Sequence, residues 1–487
     1  MSFTTSIAQN ARMTFEELFE LVSGEASQNK TAHEIEEQLW WGVLTLGQQL
    51  LQTFFTTQEA VEEPGAVYEA NGLSYPYRGQ RQRTYISLFG KVTVRRAYYW
   101  RKGESCQYPL DEALSLPERC YSDWVQARLS ELSMNMPYDD AVDLFAKWLR
   151  VMIPKGSLEQ INDDHAVEVR AYYEGREAPE TAADDTILVV SADGKGIPMT
   201  RQDSPPPEAR RGKGKKKTAK KEATVTALHT IAPYERCADD IIQALVPDYS
   251  VEEPSLSARP TPTGKQLWGT LAGQQPAFEH LVTQVERRDS EQLAHRVALT
   301  DGNRGLQRRV QQDLPDFTLI VDVIHVTEYL WKAANVLLGE THPLRDLWVQ
   351  DALRCLLTDQ FDSLLNHLSY QLPGLSKRKQ TDLKKVMNYL HNNRGYMNYQ
   401  AYLAQGYPIG TGVIEGACRH LVKDRFERTG MHWSKSGAQV MLDLRATHLN
   451  GDWVSFQRFR RHQVHKQRYG STHPDVVPEE VMLSVAA

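Results

Sequence analysis

Four acidic residues stand where an apolar run gives way to a turn or to the start of a helix. They are Asp193 in VVSADGKG, Asp301 in VALTDGNRG, Asp322 in LIVDVIH and Glu415 in GTGVIEGACRH. A carboxylate at the tip of a buried strand is costly unless something uses it. Carboxylates converging from separate strands and a helix bind hard divalent cations such as Mg²⁺ or Mn²⁺. Two such ions can activate a water or a 3′-hydroxyl and stabilise the leaving oxygen of a phosphodiester. Each acid alone also has an ordinary structural explanation. Asp-Gly is a common turn, and the helix dipole favours a glutamate in the first turn. It is the ordered set that points to chemistry. Beyond Glu415, Arg419 and Lys423 come at helical spacing, with Arg425 close by. Such cations suit a phosphate backbone.

These acids need strands to carry them. TILVVSAD, EATVTALHTIAPY, RVALTDG and FTLIVDVIH are rich in β-branched and apolar residues and predict strands. LWGTLAGQQPAFEHLVTQVERR and GLQRRVQQDLP predict helices between them. Strand–helix–strand units imply parallel neighbours with right-handed crossovers. Ligands gather at the carboxyl ends of such strands, where Asp193, Asp301 and Asp322 are expected. The glycines after Asp193 and Asp301 allow a sharp turn and the approach of a phosphate. From about residue 326 to 402 the pattern is helical, and helix resumes near Glu415 after YPIGTGV.

Upstream, TAHEIEEQLWWGVLTLGQQLLQTFF (31–55) predicts one long helix, and RTYISLFGKVTVRRAYYWR (83–101) a hairpin around Gly90-Lys91. YSDWVQARLSELSMNMPYDDAVDLFAKWLR gives two helices split near Pro137, with a third after Ser157 as its cap. Short consecutive helices suit a helix-turn-helix and equally a helical bundle.

A chain of 487 residues is too long for one core, so two or three domains are expected. Apolar residues are 41% and charged residues 24%, ordinary for a globular protein. No apolar run reaches membrane-span length and no secretory signal is evident, and the five cysteines lack a close pair. These features predict a reducing cytoplasm and no zinc site. The net charge of −6 excludes a wholly basic nucleic-acid binder. Its distribution is uneven: RRGKGKKKTAKK (210–221) and RFRRHQVHKQR (458–468) are dense basic blocks. Each reads either as a phosphate-binding patch or as a solvated loop.

Together VSADGKGIPM, the Lys-rich loop with KKEATVTALHTIAPY, LTDGNRGLQRRV, DVIHVTEYLW and IGTGVIEGACRHLVKDRFERTGMHWS resemble bacterial insertion-sequence transposases of the ISKra4 family. More broadly they resemble the DDE transposases related to the IS256 and Mutator-like groups. The resemblance spans about residues 80–450, and the Glu415 block is its most specific part. It implies a multidomain α+β protein: an RNase H-like core with a mixed sheet, an all-helical insertion, and a mostly helical N-terminal DNA-binding region with a β-hairpin. The expected divisions are a helical segment 1–70, a hairpin and helix-turn-helix-like region 71–180, and the first part of the core 181–325. After these come the helical insertion 326–402, the core helices with the glutamate 403–450, and a basic tail 451–487.

The resemblance implies catalysis by Asp193, Asp301 and Glu415, which would hold two Mg²⁺ or Mn²⁺ ions, with Asp322 and His325 as a supporting Asp-x-x-His signature on the fifth strand. Asp322 competes with Asp301 for the second catalytic position, and strand order favours Asp301. Similar transposases carry a cysteine-rich segment after the hairpin, whereas here only Cys106 and Cys120 stand there, far apart. Expected DNA contacts are Arg210, Arg211, Lys213, Lys215, Lys216, Lys217, Arg419, Lys423 and Arg425. Trp331 and Trp433 are candidates for stacking on an unpaired base. The implied partners are double-stranded DNA, as transposon ends and target, and a second copy of the chain in a nucleoid-associated dimer or larger assembly. A nuclease of the same fold that cuts without joining, and a domesticated DNA-binding protein, are the alternatives.

Overall fold

The computed structural model describes residues 2–70, 72–176, 186–203, 220–246, 259–288, 293, 295–428 and 430–470. The chain divides into two units: residues 1–174 with 453–487, and residues 175–452. The architecture is mixed α+β. Among the described residues no helix is long and apolar enough to cross a membrane.

The first unit opens with helices α1 (Ser2–Ser23) and α2 (Ala32–Val61). Thr31 and Glu34 start α2 with a reciprocal capping box. A three-stranded antiparallel sheet comes next, β1 (Val67–Ala70), β2 (Leu73–Ser87) and β3 (Gly90–Tyr99). Ser87 pairs with Gly90, so the turn falls on Leu88-Phe89, just before the expected Gly90-Lys91. The outer edge of β3 is covered by α2. Gln48 donates to Lys91 O at 2.7 Å, Gln52 to Thr93 O at 2.8 Å, and Glu59 accepts from Arg95 N at 2.5 Å. Side chains thereby occupy backbone groups that would otherwise recruit another strand.

Helices α3 (Asp123–Asn135), α4 (Tyr138–Leu149) and α5 (Lys155–Val167) pack around Val125, Leu129, Phe145, Leu158 and Ile161. Pro154, not Ser157, stands at the cap of α5. Proline presets the backbone for a helix start, so Ser157 lies inside the helix. Within the segment read as a basic tail, Trp453–Tyr469 is helical and belongs to this unit. Its Arg460 is 3% exposed and bonds Asp123 at 2.6 Å, and Tyr469 donates to Leu116 O.

The second unit holds a five-stranded sheet. Its strands are β4 (Ile187–Pro198), β5 (Lys220–Ile231), β6 (Thr263–Thr270), β7 (His295–Thr300) and β8 (Thr318–Val321), in the order β6-β5-β4-β7-β8. β4, β5 and β6 are antiparallel, while β4, β7 and β8 run parallel. Alternate residues face two cores. Ile187, Val189, Val297 and Leu299 point to one, and Leu188, Val190 and Ala298 to the other. Burial on both faces explains the unbroken apolar runs.

One core is closed by α6 (Gln274–Arg288) and α7 (Arg304–Asp313). The other is closed by α8 (Val323–Leu337) and the helices after it, including α9 (Lys377–Asn393). Every element from Val323 to Ala404 is helical. The chain then returns to the sheet through α10 (Gly412–Ala417), a π-helical turn Cys418–Lys423, and α11 (Lys435–Leu449).

Candidate metal centre

Parallel register sets the first two acids side by side. Ala192 pairs with Thr300, so Asp193 and Asp301 occupy the next positions on neighbouring strands. Contrary to the sequence expectation, Asp193 does not end its strand. β4 continues to Pro198 because β5 remains paired with it, from Gly194 opposite Thr224 on to Pro198 opposite Lys220. The glycines after the two acids therefore differ. Gly302 has φ +88° and turns the chain, and a Cβ there would lie 2.8 Å from the Tyr389 ring. Gly194 stays within the strand, where a Cβ would lie 2.8 Å from the Glu222 carboxyl carbon.

Asp193 accepts from its neighbour Gly194 N at 2.6 Å and from the buried thiol of Cys418 at 3.3 Å. Burial and the Asp193 charge push the Cys418 thiol far up, which keeps it protonated and able to donate. Asp301 accepts from Asn303 N at 2.8 Å, while Tyr389 donates to its backbone carbonyl at 3.0 Å. Burial raises the Asp301 carboxyl, and the Asp193 charge adds to the rise. Burial likewise raises Glu415, and Asp322, Glu328 and Asp193 push the same way, opposed by His325. Asp301 and Glu415 thus each feel the charge of Asp193 from separate elements. No side-chain hydrogen bond is made by Glu415 among the described residues.

Asp322 is built differently. It comes directly after the last residue of β8 and caps α8, so Asp322 and His325 sit at a strand-to-helix junction and not on the strand. Asp322 is 0% exposed. Its Oδ1 accepts from Ile324 N at 2.9 Å and Thr411 N at 3.2 Å. Its Oδ2 accepts from the Thr411 hydroxyl and from His325 Nδ1 at 2.7 Å. The bond to Asp322 raises the His325 imidazole to about 9, so the ring is a cation at neutral pH. Asp322 N also donates to Thr300 O at 2.8 Å. One buried carboxylate thereby joins the end of β7, the first turn of α8 and the start of α10, which carries Glu415. Thr411 and Cys418 escape sequence reasoning as site residues. Their partners lie 89 and 225 positions away in the chain, beyond the reach of local pattern.

Asp322, His325 and Glu415 bring ligand atoms within 4.8 Å of one another, close enough to hold a metal ion. An ion there would displace one of the donors that fill the Asp322 oxygens. Among the described residues Asp193 and Asp301 are outside this cluster; they stand in adjacent register, Asp193 on β4 and Asp301 just past the end of β7. The upward push on Asp301 and Glu415 comes in part from neighbouring carboxylates, a crowding of negative charge that fits a hard cation.

The expected DNA contacts separate. Arg419 is exposed and lies 3.8 Å from Asp424, and Lys423 is exposed. Arg425 is corrected: it is 1% exposed, with its guanidinium 4.7 Å over the Trp433 ring and against the Met431 sulfur. Two positions past Lys423, or about 200° round a helix, Arg425 falls on the face away from Lys423 and packs inward. Trp433 is 8% exposed and packs on Phe426 at 4.8 Å, and its backbone bonds both Pro198 and Thr200. It ties β4 to α11 and has no open face for a base. Trp331 is half-buried against the helical core beneath Arg345. Arg210, Arg211, Lys213, Lys215, Lys216 and Lys217 lie outside the described residues. The flanking strand ends, Pro198 and Lys220, are paired five positions beyond Asp193. Comparison with family models and with curated proteins finds no match.

Proposed function

We propose that the chain is a DNA transposase of the ISKra4 insertion-sequence type. It would bind terminal inverted repeats and perform metal-dependent strand cleavage and strand transfer. One observation carries this. Asp193, Asp301 and Glu415 reach one region from two adjacent parallel strands and a late helix, and each raised carboxyl responds to Asp193. The strand order β6-β5-β4-β7-β8, antiparallel on one side of β4 and parallel on the other, supports an RNase H-like core interrupted by a helical insertion.

Asp193, Asp301 and Glu415 would hold two Mg²⁺ or Mn²⁺ ions. The chemistry such ions supply when bound is activation of a water or 3′-hydroxyl and stabilisation of the leaving oxygen. Asp322 fixes Thr411 and His325, and so the helix that presents Glu415. Cys418 orients Asp193. Exposed Arg419 and Lys423 suit phosphate contacts beside the site, and the basic loop after Pro198 suits others. Pairing two DNA ends calls for a second copy of the chain. A bacterial cytoplasmic location goes with this role.

The test is cleavage of DNA carrying the inverted repeats that bracket the gene. Asp301→Ala should abolish cutting and leave DNA binding intact. Normal cutting by Asp301→Ala together with loss in Asp322→Ala would move the second acid to Asp322. Pre-cleaved ends that are never joined would reduce the activity to that of a nuclease. The Asp322, His325 and Glu415 cluster supports a second arrangement with a single ion. Metal titration separates the two. Binding lost in His325→Ala but kept in Asp193→Asn selects the histidine-containing site.

A further inference from the structure

Helix α2 turns a row of apolar side chains to solvent. Trp40, Val43, Leu50, Phe54 and Val61 are 45–71% exposed. With Gly47 and Thr57 they occupy positions 40, 43, 47, 50, 54, 57 and 61, alternating steps of three and four. That is the spacing of a seam along which one helix packs on another. The row is not broken at Gly47. A Cβ there would meet the Phe89 ring at 2.4 Å, and Phe89, 43% exposed, fills the notch from the β2–β3 turn. The opposite side of α2 is already occupied by the buried Phe55 and by the hydrogen bonds to β3. Beyond the Trp40 indole, which donates to Trp148 O at 2.9 Å, and the Phe89 ring on Gly47, the row keeps its apolar surface open to solvent.

We propose that this row is a homotypic interface at which α2 packs along α2 of a second copy. Spacing is the first reason. A seam sustained from residue 40 to 61 fits a helix of the same repeat, and under a two-fold axis the chain's own α2 supplies it. Charge is the second. The flanking positions are Leu39, Leu46 and Thr53 on one side and Leu44, Leu51 and Gln58 on the other. None carries a charge, so identical rows meet without like-charge repulsion. Area is the third. Six side chains about half exposed, Phe89 among them, offer roughly 600 Å² on the scale of ~150–250 Å² for a large side chain. The flanking leucines bring this toward the ~800 Å² per partner of a stable interface.

The interface does not rest on the transposase proposal. A chain that dimerises and never cuts DNA retains the one and loses the other. Sedimentation equilibrium of the full chain without DNA, across the micromolar range, should show a monomer–dimer equilibrium. Leu50→Glu combined with Phe54→Glu should weaken dimerisation roughly 100-fold or more, with circular dichroism and melting unchanged. Thr57→Glu places a charge on the seam at a residue with no core packing. It should weaken the dimer even if the double variant misfolds. A monomer at every concentration, or a dimer that ignores Thr57→Glu, overturns the interface.

Discussion

Each unit gathers charge around carboxylates, and the two treat them in opposite ways. In the first, Asp111 is 1% exposed and is matched by two guanidiniums, Arg83 at 3.2 Å and Arg96 closer still. In the second, Asp301 and Glu415 feel Asp193, and Glu415 also Asp322 and Glu328, with His325 the cation among the described residues that opposes their rise. A buried charge is tolerable when paired. Where a fold crowds carboxylates without matching cations, the missing charge is supplied from outside or the groups tend to protonate. Asp111 is the structural solution, whereas the acids of the second unit leave a charge deficit that a cation would fill.

The largest way to break this contrast is to neutralise each region in turn. Asp301→Asn or Glu415→Gln should lower strand cleavage by about three orders of magnitude or more while melting is held or raised. Asp111→Asn should instead destabilise the fold by about 3 kcal/mol, because two half-buried arginines lose their shared carboxylate. Urea unfolding beside a cleavage assay reads both. A drop in stability from Asp301→Asn as large as that from Asp111→Asn would erase the distinction.

Metal addition is the next test. Saturating Mg²⁺ at about ten times its dissociation constant should add roughly 1.4 kcal/mol of stability, read as a rise in melting temperature. The rise should vanish in Asp301→Asn and persist in Asp111→Asn. The supports of the site come third. Thr411→Val removes a hydroxyl from Asp322 and should weaken metal affinity about 10–100-fold, as outer-sphere partners do. Cys418→Val should act in the same direction, and Cys418→Ser should restore a donor to Asp193. Calorimetric titration measures each.

The smallest effect concerns His325. Its folded pKa is raised to about 9 by Asp322, above the ordinary value of 6.5. The imidazolium therefore stabilises the fold fully below about pH 6.5 and loses that contribution as pH rises through about 9. His325→Gln should flatten the melting profile between those limits. An unchanged slope would show that the ring is not held as a cation.

The acids themselves are legible in the sequence because each ends an apolar run, and strands buried on both faces leave few places for a carboxylate. Their surroundings are not. The extension of β4 past Asp193 depends on how far β5 stays paired, which no residue of β4 announces. The junction at Asp322 depends on α8 starting immediately after β8. Arg425 stands about 200° round a helix from Lys423, so its basic side chain alone, and not helical spacing, suggests a phosphate contact, and it is buried. Thr411 and Cys418 are defined only by partners distant in the chain.

The bond between Asp322 and Thr411 also sets an order of assembly. Asp322 emerges from the ribosome long before Thr411, with the whole helical stretch between them still to be made. Until residue 411 arrives, the Asp322 carboxylate lacks two of its donors and Glu415 is absent altogether. A chain stalled or truncated in that interval has its first two acids and no third. Under the proposed function, a DNA-cutting activity would stay silent until residue 415 has been made.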